Sequence, residues 1–308
     1  MSDFTSAKTS HRHGVISVLV ALPFVSLTGL FGKFLTFSPL LIVQGRTVFA
    51  FGALLLALFF LRKKIFFSDL REWLWLALSG SILGVHWIAF FQAIQVSTVA
   101  IGLLSFASYP LFTTLLEPLF FREPLRVRNV FAALIVICGL ALMATSSSDD
   151  SNTIISGSVF HGILWGLMAG FGFAVLTLLN RGHVRKHSAL LITCWQNGFA
   201  ALLILPWSLS ESWILSGKEL GLLFLLGVVC TVGGHTLLIN GLRHVRAQVA
   251  SLLIAGLEPV FAILFALFLL GEVPSLQTLL GGVLIISTTV FIIYGTEQKE
   301  IPEQAVSK

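Results

Sequence analysis

The stretch GGHTLLINGLRHVRAQVASLLIAGLEPVFAILFALFLLGE, residues 233–272, repeats an earlier part of the same chain, residues 84–123, at an offset of 149 positions. The matches include residue types that are rare in an apolar chain: Gly84 with Gly233, His86 with His235, Pro110 with Pro259 and Glu123 with Glu272. Weak internal symmetry of this kind is how structural repeats show themselves in a sequence. The stretch therefore predicts a chain of two equivalent halves.

The composition predicts an integral membrane protein. Of the 308 residues, 56% are hydrophobic and 11% charged, and the mean hydropathy of +0.95 excludes an ordinary water-soluble domain. A helix that crosses a membrane needs about 20 apolar residues. The predicted helices are Gly14–Leu35, Pro39–Leu61, Glu72–Ile94, Thr98–Phe121, Asn129–Ala144, Val159–Asn180, Ser188–Leu209, Glu219–Leu242, Val249–Leu270 and Leu276–Tyr294. The fold is thus predicted to be all-α, with ten transmembrane helices.

The positive charges predict the orientation of the chain. With the N-terminus inside, sixteen of the 19 Lys and Arg residues fall in inner segments, whereas only Lys33 and Lys218 fall outside and Arg46 lies within a helix. Lys and Arg are enriched in cytoplasmic loops. We therefore expect a bacterial-type inner membrane protein with both termini in the cytoplasm, and the net charge of +5 reflects topology rather than nucleic-acid binding.

A polar segment that lacks Lys and Arg, SSSDDSNTIISG at 146–157, divides the chain. We interpret it as a periplasmic loop between a first repeat at 14–145 and a second at 158–295, with cytoplasmic tails at 1–13 and 296–308. Because each repeat has five helices, an odd number, the second enters the membrane in the opposite orientation. Two inverted five-helix repeats are the architecture of many alternating-access carriers.

Polar residues at membrane depth are the candidates for a functional site, because placing them there is costly. The substrate-binding candidates are Arg46, His86, Trp87, Tyr109, Trp165, Trp195, Gln196, His235 and Glu258. Pro110 and Pro259, at matching midplane positions, are candidates for gating kinks. At these positions the two halves differ, because Gln196 matches Arg46 and Tyr109 matches Glu258.

Structural interpretations of the same residues stay open. Arg46 can extend its charge to the headgroups, and each histidine can form an interhelical hydrogen bond. Glu258 is expected to be neutral or paired with a distant cation, and it can also bond the carbonyl that Pro259 leaves free. Glu123 and Glu272, at helix ends, are interpreted as structural. Glycines 162, 166 and 170 predict a close-packing seam, and the Cys and His residues have no metal-ligand spacing.

Several of these features together resemble the drug/metabolite transporter superfamily, in particular its EamA-type ten-helix exporters. The resemblance rests on Lys33, the pair Ser38-Pro39, Arg46, and the blocks YPLFTTLLEPLFFREPL at 109–125 and LEPVFAILFALFLLGEVPS at 257–275. It implies two inverted repeats around a central cavity and a substrate among amino acids, amines, drugs, sugars and other metabolites. The pair Glu117-Pro118 departs from the family pattern.

The predicted function is export of a small metabolite, with an amino acid or related amphipathic compound as the best candidate. In this hypothesis Arg46 attracts a carboxylate, Glu258 attracts an ammonium group, and the aromatic residues hold the side chain. The sequence has no nucleotide-binding motif, so we expect no cofactor, and transport driven by protons, a counter-substrate or the substrate's own gradient. The alternatives are a membrane sensor, a lipid-modifying enzyme, or an exporter of drugs or amines. The short loops argue against an enzyme.

Overall fold

The structure is a computed structural model that describes residues 2–121, 131, 134–135, 138–139, 141–142, 157–213, 216–245, 247–288 and 290–291. These residues form helices and connecting turns, and none of them is in a β-strand. The helices are α1 (Ser2–Phe34), α2 (Pro39–Phe60), α3 (Leu70–Val96), α4 (Val99–Phe106), α5 (Tyr109–Phe121), α6 (Gly157–His183), α7 (Ala189–Ser208), α8 (Gly217–Phe224), α9 (Thr236–Gly241), α10 (Ala247–Leu270) and α11 (Leu276–Thr288). A π-helical segment, Leu225–His235, joins α8 to α9.

Eight stretches of these helices are long and apolar enough to cross a membrane. They are Arg12–Phe34, Pro39–Phe60, Leu70–Val96, Val99–Leu116, Gly157–His183, Ala189–Ser208, Gly217–Gly241 and Leu253–Leu270. These spans correspond to predicted helices one to four and six to nine. The predicted tenth helix is present as the shorter apolar helix α11. An all-helical membrane protein is confirmed, and the count of ten stays a prediction.

Some predicted features lie outside the described residues. They are Glu123, most of the predicted fifth helix at 129–144, residues 146–156 of the loop predicted at 146–157, and the predicted tail at 296–308. The other predicted tail, 1–13, belongs from residue 2 onward to α1, because the helix continues through the basic segment. The apolar span within α1 begins at Arg12, close to the predicted start of the first helix.

Helix starts follow local capping signals in the sequence. The Ser38 hydroxyl accepts a hydrogen bond from the Leu41 N–H at 3.3 Å, and Pro39 occupies the first helical position of α2. Ser188 caps α7 in the same way, through the Leu191 N–H at 3.3 Å. A hydroxyl at the N-cap satisfies an N–H that has no partner within the helix. These caps fix the start of α2, and so place Arg46 two turns inside it.

The two halves interleave, and their contacts repeat in exchanged form. Helix α3 packs against α6 and α7, while the π-helical segment packs against α1 and α2. Helix α4 packs against α6, while α10 packs against α1. Predicted helices one to four correspond in the repeat to predicted helices six to nine. When each helix is replaced by its counterpart, the first contact in each of these comparisons becomes the second. The sequence repeat is therefore also a repeat of packing.

The predicted glycine seam of α6 lies against the end of α3 and against α4. A Cβ atom at Gly166 would lie 2.6 Å from the Cβ of Ser105, and one at Gly170 would lie 3.0 Å from the Phe106 carbonyl oxygen. At Gly162 an added Cβ would collide with the side chain of Ser97. Small residues allow helix backbones to approach this closely in membranes, so these glycines set the spacing between α6 and the first half.

Helical regularity is interrupted at two places within the described residues. The predicted fourth helix is broken at 107–108, so that α4 ends at Phe106 and α5 begins at Tyr109, one residue before Pro110. The π-helical segment interrupts the predicted eighth helix. In contrast, α10 continues through Pro259. Both interruptions lie beside the cavity described next.

Candidate functional site

A buried polar cavity of about 40 Å³ lies between the two halves of the protein. Its lining comes from α1, α2, α3, α4, α6, the π-helical segment, α9 and α10, namely Val25, Thr28, Arg46, His86, Trp87, Phe90, Phe106, Phe173, Cys230, His235, Leu238 and Glu258. Pockets for drug-sized ligands have volumes of roughly 300–1,000 Å³. The cavity is therefore nearly closed in this conformation, and its walls would have to separate to admit a metabolite.

Arg46 is held in the cavity wall by two kinds of contact. Its Nε donates a hydrogen bond to the Thr231 hydroxyl at 2.9 Å. Its guanidinium carbon lies over the Trp87 ring, 3.5 Å from the ring centroid, which is a cation–π contact. The side chain is only 3% exposed, and its Nη1 has no hydrogen-bond partner within the described residues. The buried guanidinium thus retains an unused donor.

The two repeat-related histidines occupy different surroundings. The Nδ1 of His86 lies 2.8 Å from the Ala169 carbonyl oxygen, which can only accept, so Nδ1 carries the hydrogen. In the neutral ring Nε2 is then an acceptor, and it is the ring nitrogen left for a ligand. The His235 ring lies 5.7 Å from the Trp87 ring, and its Nε2 has no partner within the described residues.

Glu258 contributes the acidic side chain of the cavity lining. It lies in α10, immediately before Pro259, and is 2% exposed. No ion pair joins it to Arg46 within the described part of the chain, although both residues line the cavity. A buried carboxylate without a close cation is costly. The lining therefore presents one guanidinium and one carboxyl group that are not neutralised by a direct contact with each other.

Four of the nine predicted binding residues are not part of this lining. The Tyr109 hydroxyl donates to the Ser251 carbonyl oxygen at 2.8 Å, and its ring lies 5.1 Å from that of Phe106, whose side chain does line the cavity. Tyr109 therefore supports the cavity wall rather than forming its surface. Trp165, the second of the four, is half-buried and packs against the main hydrophobic core.

Trp195 and Gln196 serve other contacts. The Trp195 indole donates to the Ile65 carbonyl oxygen at 2.7 Å, and its ring lies 4.5 Å from that of Trp73. Gln196 donates to Asn180 Oδ1 at 2.6 Å and to Ser79 Oγ at 3.1 Å. The residue that replaces Arg46 in the second half is thus part of a polar network between α3, α6 and α7.

Several lining residues were not identified from the sequence. They are Val25, Thr28, Phe90, Phe106, Phe173, Cys230 and Leu238. Thr231 was also missed; it is not part of the lining, but it is the hydrogen-bond partner of Arg46. Phe90 lies four residues after His86, a spacing that places side chains on one helix face and could have identified it. Thr231 precedes His235 by the same spacing.

Glu272 is involved in helix capping, away from the polar cavity. Its Oε2 accepts from the Val99 N–H at the start of α4 at 2.9 Å, and its Oε1 lies 3.9 Å from Lys33 Nζ. Lys33 also donates to the Ser97 carbonyl oxygen at 2.6 Å. These contacts join α1 and α4 to the segment that follows α10. Among the described residues, no group of three His, Cys, Asp or Glu side chains is placed to hold a metal ion.

A bundle of membrane-spanning helices, built from two matching halves around a buried polar cavity, is the architecture of a small-molecule carrier. The sequence pattern of the EamA-like transporter family matches residues 12–145 and 160–294, and the chain belongs to this family. The protein is therefore a multi-pass membrane transporter and not an enzyme.

Its relatives include transporters with and without a named substrate. The chain is 28% identical over 261 residues to the uncharacterized transporter YwfM of Bacillus subtilis, covering 81% of this chain and 84% of that protein. It is 31% identical over 208 residues to an S-adenosylmethionine uptake transporter of Rickettsia prowazekii, covering 67% and 66%. A solved crystal structure has the same fold, with a TM-score of 0.63 at 17% identity over 91% of this chain and 94% of that one.

Proposed function

We propose that the protein is a secondary carrier of the bacterial inner membrane that exports a small zwitterionic metabolite, an amino acid or a related amphipathic compound. The observation that supports this substrate class is that one guanidinium, Arg46, and one carboxyl group, Glu258, line the same aromatic-walled cavity without contacting each other as an ion pair. A zwitterion carries the two complementary charges. An amine or a cationic drug would leave Arg46 without an anionic partner.

The contacts of the lining suggest where each part of the substrate binds. The carboxylate would accept from Arg46 Nη1 and His235 Nε2, two donor-capable atoms of the cavity lining that have no partner within the described residues. The ammonium group would donate to Glu258 and to His86 Nε2. The apolar part would contact Trp87, Phe90, Phe106 and Phe173, which are all buried in the cavity wall. Charge-assisted hydrogen bonds in a dry site are stronger than those in water.

Alternating access would supply the volume that the closed cavity lacks. In this proposal the chain forms ten transmembrane helices in two inverted repeats, at 14–145 and 158–295, with the loop 146–157 outside and both termini in the cytoplasm. The helices that carry Pro110 and Pro259 would act as moving walls. The interruption of the helix at 107–108 in the first half supports a movable α4, because a turn there replaces the regular helix between α4 and α5.

The relatives that take up S-adenosylmethionine suggest a second candidate substrate. They also suggest uptake rather than export as the direction of transport. S-adenosylmethionine has an α-amino acid end, so the same Arg46 and Glu258 contacts would hold it, with its adenine ring against the aromatic wall. The direction of transport separates the two candidates. The experiment below therefore measures both directions.

Flux into proteoliposomes tests the proposal. Labelled L-phenylalanine and S-adenosylmethionine would be loaded either outside or inside the vesicles, with or without a pH gradient. We expect saturable flux of at least one zwitterion, and its loss in Glu258→Gln but not in Glu219→Gln, which alters a carboxylate outside the cavity lining, in the capping box of α8. Saturable binding without flux would instead indicate a sensor. Unchanged flux and pH dependence in Glu258→Gln would remove this residue from the mechanism.

A further inference from the structure

The π-helical segment places an unusual hydrogen-bonding residue against Arg46. The segment covers Leu225–His235, eleven residues, and Thr231 lies near its middle with no exposed surface. π-Helical turns are rare in proteins and frequently occur at functional sites. In the other half the equivalent helix, α3, has no such segment.

The hydrogen bonds of Thr231 have a fixed direction. Its hydroxyl lies 2.9 Å from the Leu226 carbonyl oxygen, five residues earlier, and 2.9 Å from Arg46 Nε. A hydroxyl has one hydrogen, and the carbonyl can only accept, so the Thr231 hydrogen belongs to the bond with Leu226. The hydroxyl lone pair is then the acceptor for Arg46. The π-helical segment therefore orients an acceptor toward the guanidinium.

We propose that Thr231 is a positioning residue for substrate recognition, which fixes the Arg46 guanidinium over the Trp87 ring and so presents its unpaired Nη1 to the substrate carboxylate. The proposal rests on the proposed function, and it adds a residue outside the sequence-predicted site. A free arginine side chain has many rotamers and loses conformational entropy when it binds a ligand. A hydrogen bond that already holds one nitrogen reduces the entropy lost on binding. Without the anchor, the guanidinium would retain its charge but lose its fixed orientation.

Three variants separate positioning from a general structural role. Thr231→Val keeps the shape of the side chain and removes the acceptor, whereas Thr231→Ser keeps the hydroxyl. Thr193→Val is the matched control, because Thr193 is equally buried and its hydroxyl bonds only the Ala189 carbonyl of its own helix, at 2.8 Å. The two substrates are L-phenylalanine and 2-phenylethylamine, which is the same molecule without the carboxylate.

The flux measurement has a specific expected pattern. In Thr231→Val we expect KM for L-phenylalanine to rise about tenfold, the effect of losing roughly one hydrogen bond to a charged group. The maximal rate and the transport of 2-phenylethylamine, where measurable, would change little. Thr231→Ser would restore KM, and Thr193→Val would match the wild type. Equal losses for both substrates, or no rescue by Ser, would overturn the positioning role.

A thermal measurement keeps the proposal testable without flux. The Tm of purified protein would be compared for Thr231→Val, Arg46→Gln and the double variant. If the two side chains are coupled as the hydrogen bond indicates, the double variant loses less than the sum of the two single losses. Strict additivity would overturn the Thr231 proposal, even if flux is present. Absence of flux of every zwitterion in the wild type would instead overturn the proposed substrate class.

Discussion

The two halves of the protein share their packing but differ in where their helices are irregular. In the first half the helix that carries Pro110 is broken at 107–108, and α3 is regular throughout. In the second half the helix that carries Pro259 is continuous, and the equivalent of α3 contains the π-helical segment. A proline at a matching position therefore does not dictate a break. Each half instead contributes one deformed helix, from a different position of the repeat, to the same cavity.

The charges of the polar cavity are divided between the halves in the same asymmetric way. The first half supplies Arg46, whose counterpart Gln196 belongs to a separate hydrogen-bond network. The second half supplies Glu258, whose counterpart Tyr109 supports the wall. In the proposed function, a zwitterion would therefore be held by one charged group from each half. The repeat thus provides the framework, and the departures from the repeat provide the proposed specificity.

The largest expected effect comes from removing this charge asymmetry. Arg46→Gln places in the first half the residue that the second half already has. We expect transport efficiency, measured as Vmax/KM for a zwitterion in proteoliposomes, to fall by more than about 30-fold, since losing one partner of a buried charged contact costs about 2–5 kcal/mol.

The matched control for this exchange is Arg71→Gln, which removes an exposed arginine at the start of α3. It should retain most of its transport activity. Equal activity of wild type and Arg46→Gln would mean that the guanidinium does not contact the substrate, and that the asymmetry between the halves is only structural.

A smaller effect is expected from replacing either of the two histidines, and the property that changes should differ between the two variants. His86→Ala removes a ring that is bonded to Ala169 and packed among Phe106 and Phe173, so it should lower the free energy of unfolding by about 2 kcal/mol. His235→Ala removes a ring whose Nε2 has no partner within the described residues. Its main effect should be on KM.

Thermal unfolding and flux measured on the same preparations would separate these two roles. If His235→Ala destabilised the protein as much as His86→Ala and left KM unchanged, the expected difference between the two histidines would be contradicted.

The smallest expected effect concerns the glycine seam. Gly166→Ala would place a methyl group 2.6 Å from Ser105 Cβ, and such overpacking costs about 1–3 kcal/mol. Gly256→Ala, in α10, meets no atom within 4 Å. It should be neutral or slightly stabilising, because alanine is the better helix former by about 1 kcal/mol. Comparison of the two Tm values tests whether the seam sets the spacing; similar values would contradict it.

Much of the cavity could be predicted from the sequence because charged and polar residues are costly at membrane depth. This argument identified Arg46, His86, His235 and Glu258, which the structure places in one lining. It also selected Trp195 and Gln196, which lie elsewhere. Depth along a helix can be counted from its ends, but the direction that each side chain faces depends on how the helix is rotated by its neighbours, and the sequence does not state that rotation.

Thr231 and the π-helical segment show a second limit of prediction from the sequence. Threonine in a membrane helix usually bonds a carbonyl of its own helix, as Thr193 does, so its residue type predicts no particular role. The segment has no distinctive signal beyond the pair Gly233 and Gly234. Its geometry depends on packing against α1 and α2, and such tertiary contacts appear only once the chain is folded.

The contacts of Glu272 have a mechanical consequence. Because one carboxylate holds both the first N–H of α4 and the ammonium of Lys33 in α1, the ends of three helices from both halves share a common pivot. Any rocking of one half against the other must either rotate about this point or release it. In the proposed alternating access, separating α1 from the segment that follows α10 would therefore also separate Lys33 from Glu272.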